Sequence, residues 1–183
     1  FVSKNFKFGK KRKGDIHKLK EKEKVFSYKT IITKPLKKTN KILSSTFIRS
    51  EISKGKVNVA KKLLGREWSV EGKVIKGKQR GRKIGFPTCN LKLNDYILPK
   101  LGVYSVSVLI NKSKKKGIAN IGYRPTFRGK SLILEVNIFG LNKNLYKKTI
   151  VVNFIKFIRS EKKFKNIREL KIQIKKDIKK TKN

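Results

Sequence analysis

The sequence predicts a mainly β domain, a small closed barrel of antiparallel strands with one helix behind it. Three features carry this prediction. From Trp68 onward apolar residues recur with period two and are rich in β-branched types. The strand-like runs are separated by irregular loops with no helix between them, which argues against a βαβ sheet. The chain then ends in a segment of helical period with its own start signals.

The elements can be justified in order. Residues 1 to 43 alternate glycine-punctuated basic stretches with short β-like runs, Val25 to Tyr28 and Thr30 to Ile32, and read as the remnant of a larger unit, so these runs are expected to leave unpaired edges and to expose Phe6, Phe8, Val25 and Ile31. "SSTFIRSEISKG" offers hydroxyl caps at Ser44, Ser45 and Thr46, a short helix, and a stop at Gly55. Val57, Ala60, Leu63 and Leu64 then fall at helical spacing before Gly65, so residues 44 to 65 read as a helical connector and residues 66 to 183 as the main domain. Five strands follow, in "WSVEGKVIK", "GVYSVSVLI", "KKGIANI", "LILEVNIF" and "TIVVNFIKFI". Asn166 caps the last helix, Glu169 stands three residues on, and Ile167, Leu170, Ile174 and Ile178 form one apolar face expected to pack on the barrel.

Composition narrows the function classes. The 51 basic and 11 acidic residues give a net charge of +40, which suggests a phosphate-backbone binder. The charge is spread along the whole chain and is mostly lysine, as on a solvated surface, whereas a dedicated binder gathers it on one face. Arginines sit instead beside glycine, proline or turn residues, at Arg80, Arg82, Arg124 and Arg128, where a fixed fork of donors can meet phosphate. Cys89 is the only cysteine, so there is no disulfide framework and a reducing cytoplasm is the expected compartment. The lone His17 lies far from it in sequence, and the thiol reads as a small filler. No apolar run is long enough for a membrane span, and no signal peptide is recognisable. The chain contains no methionine, so it is expected to begin elsewhere than its translational start.

The richest stretch is "GKQRGRKIGFPTCNL", residues 77 to 91. Gly77, Gly81 and Gly85 permit backbone N–H groups to converge on an anion. The Gly-Lys-Ser/Thr ending of a Walker loop is missing, and by itself the glycine spacing is equally that of a β-turn. Thr88 and Asn90, two residues apart on an extended segment, present a hydroxyl and an amide oxygen to one side. Such hard neutral ligands suit Mg²⁺ completed by nucleotide phosphates. In "LILEVNIF" the residues Leu132, Leu134, Val136 and Ile138 share one face, which leaves Glu135 on the other between Ile133 and Asn137. A carboxylate there is either a partner for one of the many lysines or a general base.

"GRKIGFPTCNL", "GVYSVSV", "ANIGYRPTF", "LEVNIF" and "FIRSEKKF", in this order and spacing, resemble the riboflavin kinase domain over roughly residues 66 to 180. Upstream, "NFKFGKKRKGD" and "SSTFIRS" resemble the end of the FMN adenylyltransferase module that precedes this kinase in bacterial bifunctional FAD synthetases. The resemblance implies a six-stranded antiparallel Greek-key barrel with a C-terminal helix, preceded by an incomplete α/β nucleotidyltransferase remnant. It implies transfer of the ATP γ-phosphate to the ribityl 5′-hydroxyl of riboflavin, giving FMN. Thr88 and Asn90 would hold Mg²⁺ and ATP; Gly77, Gly81, Arg82 and Gly85 would lie over the nucleotide phosphates. Glu135 would accept the hydroxyl proton, and Arg159, in a flap, would help bind flavin or its phosphate. Ser45, Thr46 and Arg49 match a phosphate-contacting motif of the adenylyltransferase, whose earlier nucleotide motif would precede Phe1, so no FAD synthesis is expected from this chain.

Departures from the family pattern are Cys89 for a usual alanine, Ser160 for proline, Asn142 and Asn144 for an acidic residue, and Lys147 for glycine. Two other readings are a basic barrel that binds RNA and a folded inactive relative. The first needs exposed aromatics among clustered arginines. Tyr104, Phe127, Phe139 and Phe154 instead sit where core packing is expected. The expected partners are thus the small molecules ATP and riboflavin, with no specific nucleic acid and no membrane; oligomeric state is not legible.

Overall fold

The computed structural model describes residues 1–34, 37–38, 41–77, 79–93, 96–126, 129–141 and 143–182. Phe127, Arg128, Asn142 and the side chain of Arg124 lie outside the described residues. The chain divides into two compact units, Phe1–Ser44 and Ser45–Asn183.

In the first unit β1 (Val2–Ser3) pairs in parallel with β2 (Ile32–Thr33), Val2 opposite Ile32. Between them α1 (Ile16–Glu21) starts at Asp15, whose carboxylate accepts the Lys18 N–H at 3.2 Å. Two further short strands, β3 (Lys37–Lys38) and β4 (Lys41–Ile42), pair antiparallel. Two sequence expectations need correction here. Val25 to Ser27 form turns after α1, and among the described residues no strand pairs with Val25 or Phe26. The Ile32 edge, expected to be unpaired, is paired with β1. The apolar side chains remain solvated all the same: Phe6, Val25, Phe26 and Ile31 are exposed, and Phe8 is partly covered by stacking on Phe6.

The second unit opens with α2 (Ser45–Ser53) and α3 (Val57–Leu64), each followed by a glycine in the left-handed region, Gly55 at φ 78° and Gly65 at φ 72°. These helices are part of the core, since Ile52, Val57 and Ala60 are buried in the cluster that fills the barrel.

Six strands make the barrel: β5 (Trp68–Lys73), β6 (Cys89–Lys92), β7 (Gly102–Ile110), β8 (Ser113–Thr126), β9 (Gly129–Ile138) and β10 (Thr149–Arg159). Their order is β5-β10-β7-β8-β9-β6, every pair antiparallel. Strands β7 to β9 run as a meander and β10 returns beside β7, which is the Greek-key connection. A bridge between Ile75 and Asn90 brings the two sheet edges together and nearly closes the barrel. Sequence periodicity yields five strands, and the sixth, β6, escapes it because it is four residues long and half polar. The β7–β8 hairpin turns through Asn111 and Lys112, both at positive φ, as a two-residue turn on twisted strands requires.

The alternation expected for the strands is observed in β5 and β10, whereas β7 is buried at every residue from Gly102 to Val108. Val70, Tyr104, Val106, Val108, Ile121, Leu134, Val136, Ile150, Val152 and Phe154 are buried inside the barrel, with Trp68 against Phe154 at 4.7 Å between ring centroids. Each such aliphatic side chain contributes about 1.5–3 kcal/mol by leaving water. Phe139, also expected in the core, is half-buried. Lys147 has φ 65° while its N–H donates to the Val74 carbonyl at 3.0 Å. A side chain in that backbone region costs about 1 kcal/mol, the physical reason glycine suits the position.

The last helix, α5 (Ile167–Lys182), begins as expected: Asn166 Oδ1 accepts the Glu169 N–H at 2.9 Å, and Glu169 Oε2 accepts the Lys165 N–H at 3.3 Å. Its apolar face is only partly packed. Leu170, Ile174 and Ile178 are half-buried, and Ile167 is 61% exposed, contrary to the expectation that it packs on the barrel. Ile167, Leu170 and Ile174 line an open cavity beside the sheet, which accounts for their exposure.

Candidate active site

The glycine-rich loop folds over the start of β6 and includes a single helical turn, α4 (Arg80–Lys83), in a stretch whose glycine spacing predicts only loop. Its glycines do different jobs. A Cβ on Gly77 would lie 2.0 Å from the Asn90 Nδ2, so only glycine lets the loop rest on that amide. A Cβ on Gly81 would meet the Phe86 carbonyl oxygen at 2.4 Å and the Thr88 Oγ1 at 3.2 Å. Gly85 has open space around it and is needed for its backbone, at φ 89°.

Two cavities meet at this loop. The smaller, about 310 Å³, is lined by Gln79, Arg82, Thr88, Cys89, Lys143 and Tyr146 among others, and Gln79 Nε2 donates to the Tyr146 hydroxyl at 3.1 Å across it. The larger, about 740 Å³, lies against the outer face of the sheet beneath α5, and Thr88, Asn90, Asn120, Glu135 and Arg159 line it. Both volumes fall in the range of small-molecule sites. Gln79 and Thr88 line both cavities.

Register explains how residues far apart in sequence reach the larger cavity. Asn90 of β6 is opposite Glu135 of β9, Glu135 is opposite Asn120 of β8, Asn120 is opposite Val103 of β7, and Val103 is opposite Arg159 of β10. Directly opposed residues share a face, so these five form one rung on the outer surface. Asn137, two residues after Glu135 on that face, donates from Nδ2 to the Pro87 carbonyl at 2.7 Å and ties the Thr88 segment to β9.

The oxygen set fits a hard cation. Asn90 is buried, and its Oδ1 has no hydrogen-bond partner among the described residues, a costly arrangement unless something else occupies that lone pair. No group of three His, Cys, Asp or Glu residues among the described ones could hold a metal. Thr88 and Asn90 offer a hydroxyl and a carboxamide oxygen on one segment, a sparse neutral set of the kind a hard cation accepts when other oxygens complete its shell. The Cys89 thiol is pushed up to about 11 by burial and lies 3.5 Å from the Val136 carbonyl oxygen, consistent with a filler.

Arg159 stands at the end of β10 and not in a flap. Its Nε and Nη2 each reach Asp177 Oδ2 at 2.8 Å, its Nη1 donates to the Ser160 carbonyl at 3.0 Å, and Gln173 Nε2 donates to Asp177 Oδ1 at 2.7 Å. Asp177, nearly fully buried, was missed in the sequence, although it is the only acidic residue in the last twelve and stands one helical turn after Gln173. Asn120 and Asn137 were missed as well. Ser45, Thr46 and Arg49 lie in α2, where Thr46 and Arg49 are exposed, and none of the three lines either cavity.

The family described as flavokinase, riboflavin kinase, matches residues 64–183. The chain belongs to the riboflavin kinase family. The bifunctional riboflavin kinase/FMN adenylyltransferase of Bacillus subtilis is 41% identical over 177 residues, covering 94% of this chain and 56% of that protein. The protein of the same name from Buchnera aphidicola subsp. Schizaphis graminum is 42% identical over 181 residues, covering 97% and 58%. A Streptococcus pneumoniae crystal structure named a macrolide-efflux protein superposes with a TM-score of 0.87 at 37% identity, over 100% of this chain and 60% of that one. The chain thus spans somewhat over half the length of the curated relatives it matches. Among the described residues no helix is long and apolar enough to cross a membrane. Both cavities lie within the stretch that the family match covers, and Gln79 and Thr88 line both of them.

Proposed function

We propose that this chain transfers the γ-phosphate of ATP to the ribityl 5′-hydroxyl of riboflavin, yielding FMN and ADP, in a reducing cytoplasm. The observation that carries the reading is the pairing of Asn90 with Glu135 across β6 and β9, on the face where an orphaned amide oxygen and a carboxylate open into one cavity.

The nucleotide occupies the smaller cavity, which Arg82 lines, with its phosphates toward the loop of Gly77, Gly81 and Gly85, and the flavin occupies the larger one, which Gly81 also lines. Thr88 and Asn90 would hold Mg²⁺, which when bound would neutralise charge on the ATP phosphates. Glu135 accepts the proton of the 5′-hydroxyl as its oxygen bonds to the γ-phosphorus and the bond to the β–γ bridging oxygen breaks, leaving ADP. Arg82 faces the developing charge on the phosphoryl oxygens. Catalysis is then largely alignment and charge stabilisation, for which rigid strands serve well. Arg159 lies three strand spacings from Glu135, roughly 14 Å, so it serves the ring end of the flavin and not the transferred phosphate.

Residues 1–43 read as the C-terminal part of an FMN adenylyltransferase module, with 44–65 as connector and Ser45, Thr46 and Arg49 belonging to that module's motif. The support is that relatives named for both activities align over 94–97% of the chain. The chemistry described here needs no nucleic acid partner.

The test is Glu135→Gln, which keeps the shape and removes the base. Turnover should fall by about 10² or more, while ATP binding by calorimetry and the thermal midpoint stay near wild type. Near-native turnover would show that the base lies elsewhere.

A further inference from the structure

The rung that joins Asn90 to Arg159 changes character along its length. Asn90 and Glu135 are polar or charged, Val103 is apolar, and Asn120 stands between them. The neighbours of Asn120 on the same face of β8 are Ile118 and Gly122, and all three line the larger cavity. Asn120 is half-buried. Its Nδ2 lies 3.3 Å from the point where a Cβ on Gly122 would stand, and the Glu161 Oε1 lies 2.1 Å from that same point. The missing side chain at Gly122 therefore leaves room on the cavity wall for both an acceptor-only carboxylate and an amide with donor and acceptor atoms.

This sequence of groups matches a molecule with a reacting hydroxyl at one end, a hydroxylated chain in the middle and an apolar ring at the other. Resting on the riboflavin kinase reading above, we propose that Asn120 is a substrate-reading residue. Its carboxamide binds an inner hydroxyl of the acceptor's polyol chain and so sets the terminal hydroxyl at Glu135. It is one strand from Glu135, roughly 5 Å between backbones, about the reach from the end of such a chain to its middle. Val103 belongs to the rung, Ile118 and Ile133 flank it, and Leu170 and Ile174 of α5 line the same cavity, giving the ring an apolar place. A site built to bond a hydroxyl discriminates against an analogue that lacks it, because its own polar atoms are then left unpaired.

The experiment compares riboflavin with a flavin whose N10 chain is a plain 5-hydroxypentyl group, using the full chain, ATP and Mg²⁺. Wild type should prefer riboflavin in kcat/KM. Asn120→Ala should lower kcat/KM for riboflavin about tenfold or more and for the hydroxypentyl flavin less than threefold, so that the preference shrinks, with KM for ATP unchanged. Asn120→Ser, which keeps a donor and an acceptor on the sheet face, should restore part of the preference, and it serves as the readout if the alanine variant does not fold. An undiminished preference in both variants overturns the role of Asn120 and leaves the kinase reading standing. Absence of FMN formation by wild type with either flavin overturns both.

Discussion

Asn90 has an oxygen with no partner inside the protein's own described structure, and Thr88 lines both cavities beside it. Removing both ligands tests what they hold. Thr88→Ala with Asn90→Ala should abolish the Mg²⁺ dependence of ATP binding while changing the unfolding midpoint little, because the lost Asn90 oxygen made no internal hydrogen bond. Calorimetry with and without Mg²⁺ decides it, and an unchanged Mg²⁺ dependence would remove both residues from the metal site. Thr88 and Asn90 are candidates from the sequence because a hydroxyl and an amide oxygen two residues apart suit a hard cation, and Glu135 because it is a carboxylate out of pattern in an apolar strand. Asn120 and Asn137 are not, since an asparagine on an outer strand face is unremarkable until register sets it beside a carboxylate or a carbonyl.

The elements that matter most are those that hold two walls of a cavity together. Helix α5 is attached to β10 through Asp177, whose two oxygens are taken by Arg159 and Gln173. Asp177→Ala leaves the Arg159 guanidinium without its carboxylate in a partly buried place and should cost about 2–3 kcal/mol of stability, read from denaturant midpoints. It should also raise KM for riboflavin more than KM for ATP, because Arg159 and α5 line only the larger cavity. Equal changes in the two KM values would contradict that assignment. Long strands and the capped helix α5 could be read from period and caps, which are local signals. The four-residue β6 and the single turn α4 could not, because what holds them is non-local: pairing with β9 for one, and glycine contacts with Thr88 and Asn90 for the other.

At the scale of the molecule, a nearly closed barrel is what converts five distant motifs into one surface. The Greek-key return of β10 beside β7 sets Arg159 on the rung that begins at Asn90, and that rung is invisible in any single motif. Solvated lysines fit the dispersed basic charge, while the few carboxylates are placed economically: Glu135, Glu161 and Asp177 all line the larger cavity. The central claim is that this surface phosphorylates a flavin. Purified chain incubated with riboflavin, ATP and Mg²⁺ and resolved by chromatography should yield FMN and ADP in equal amounts, with no product when Mg²⁺ is chelated. ADP without FMN, or no change in riboflavin at enzyme-level concentrations, would contradict the account.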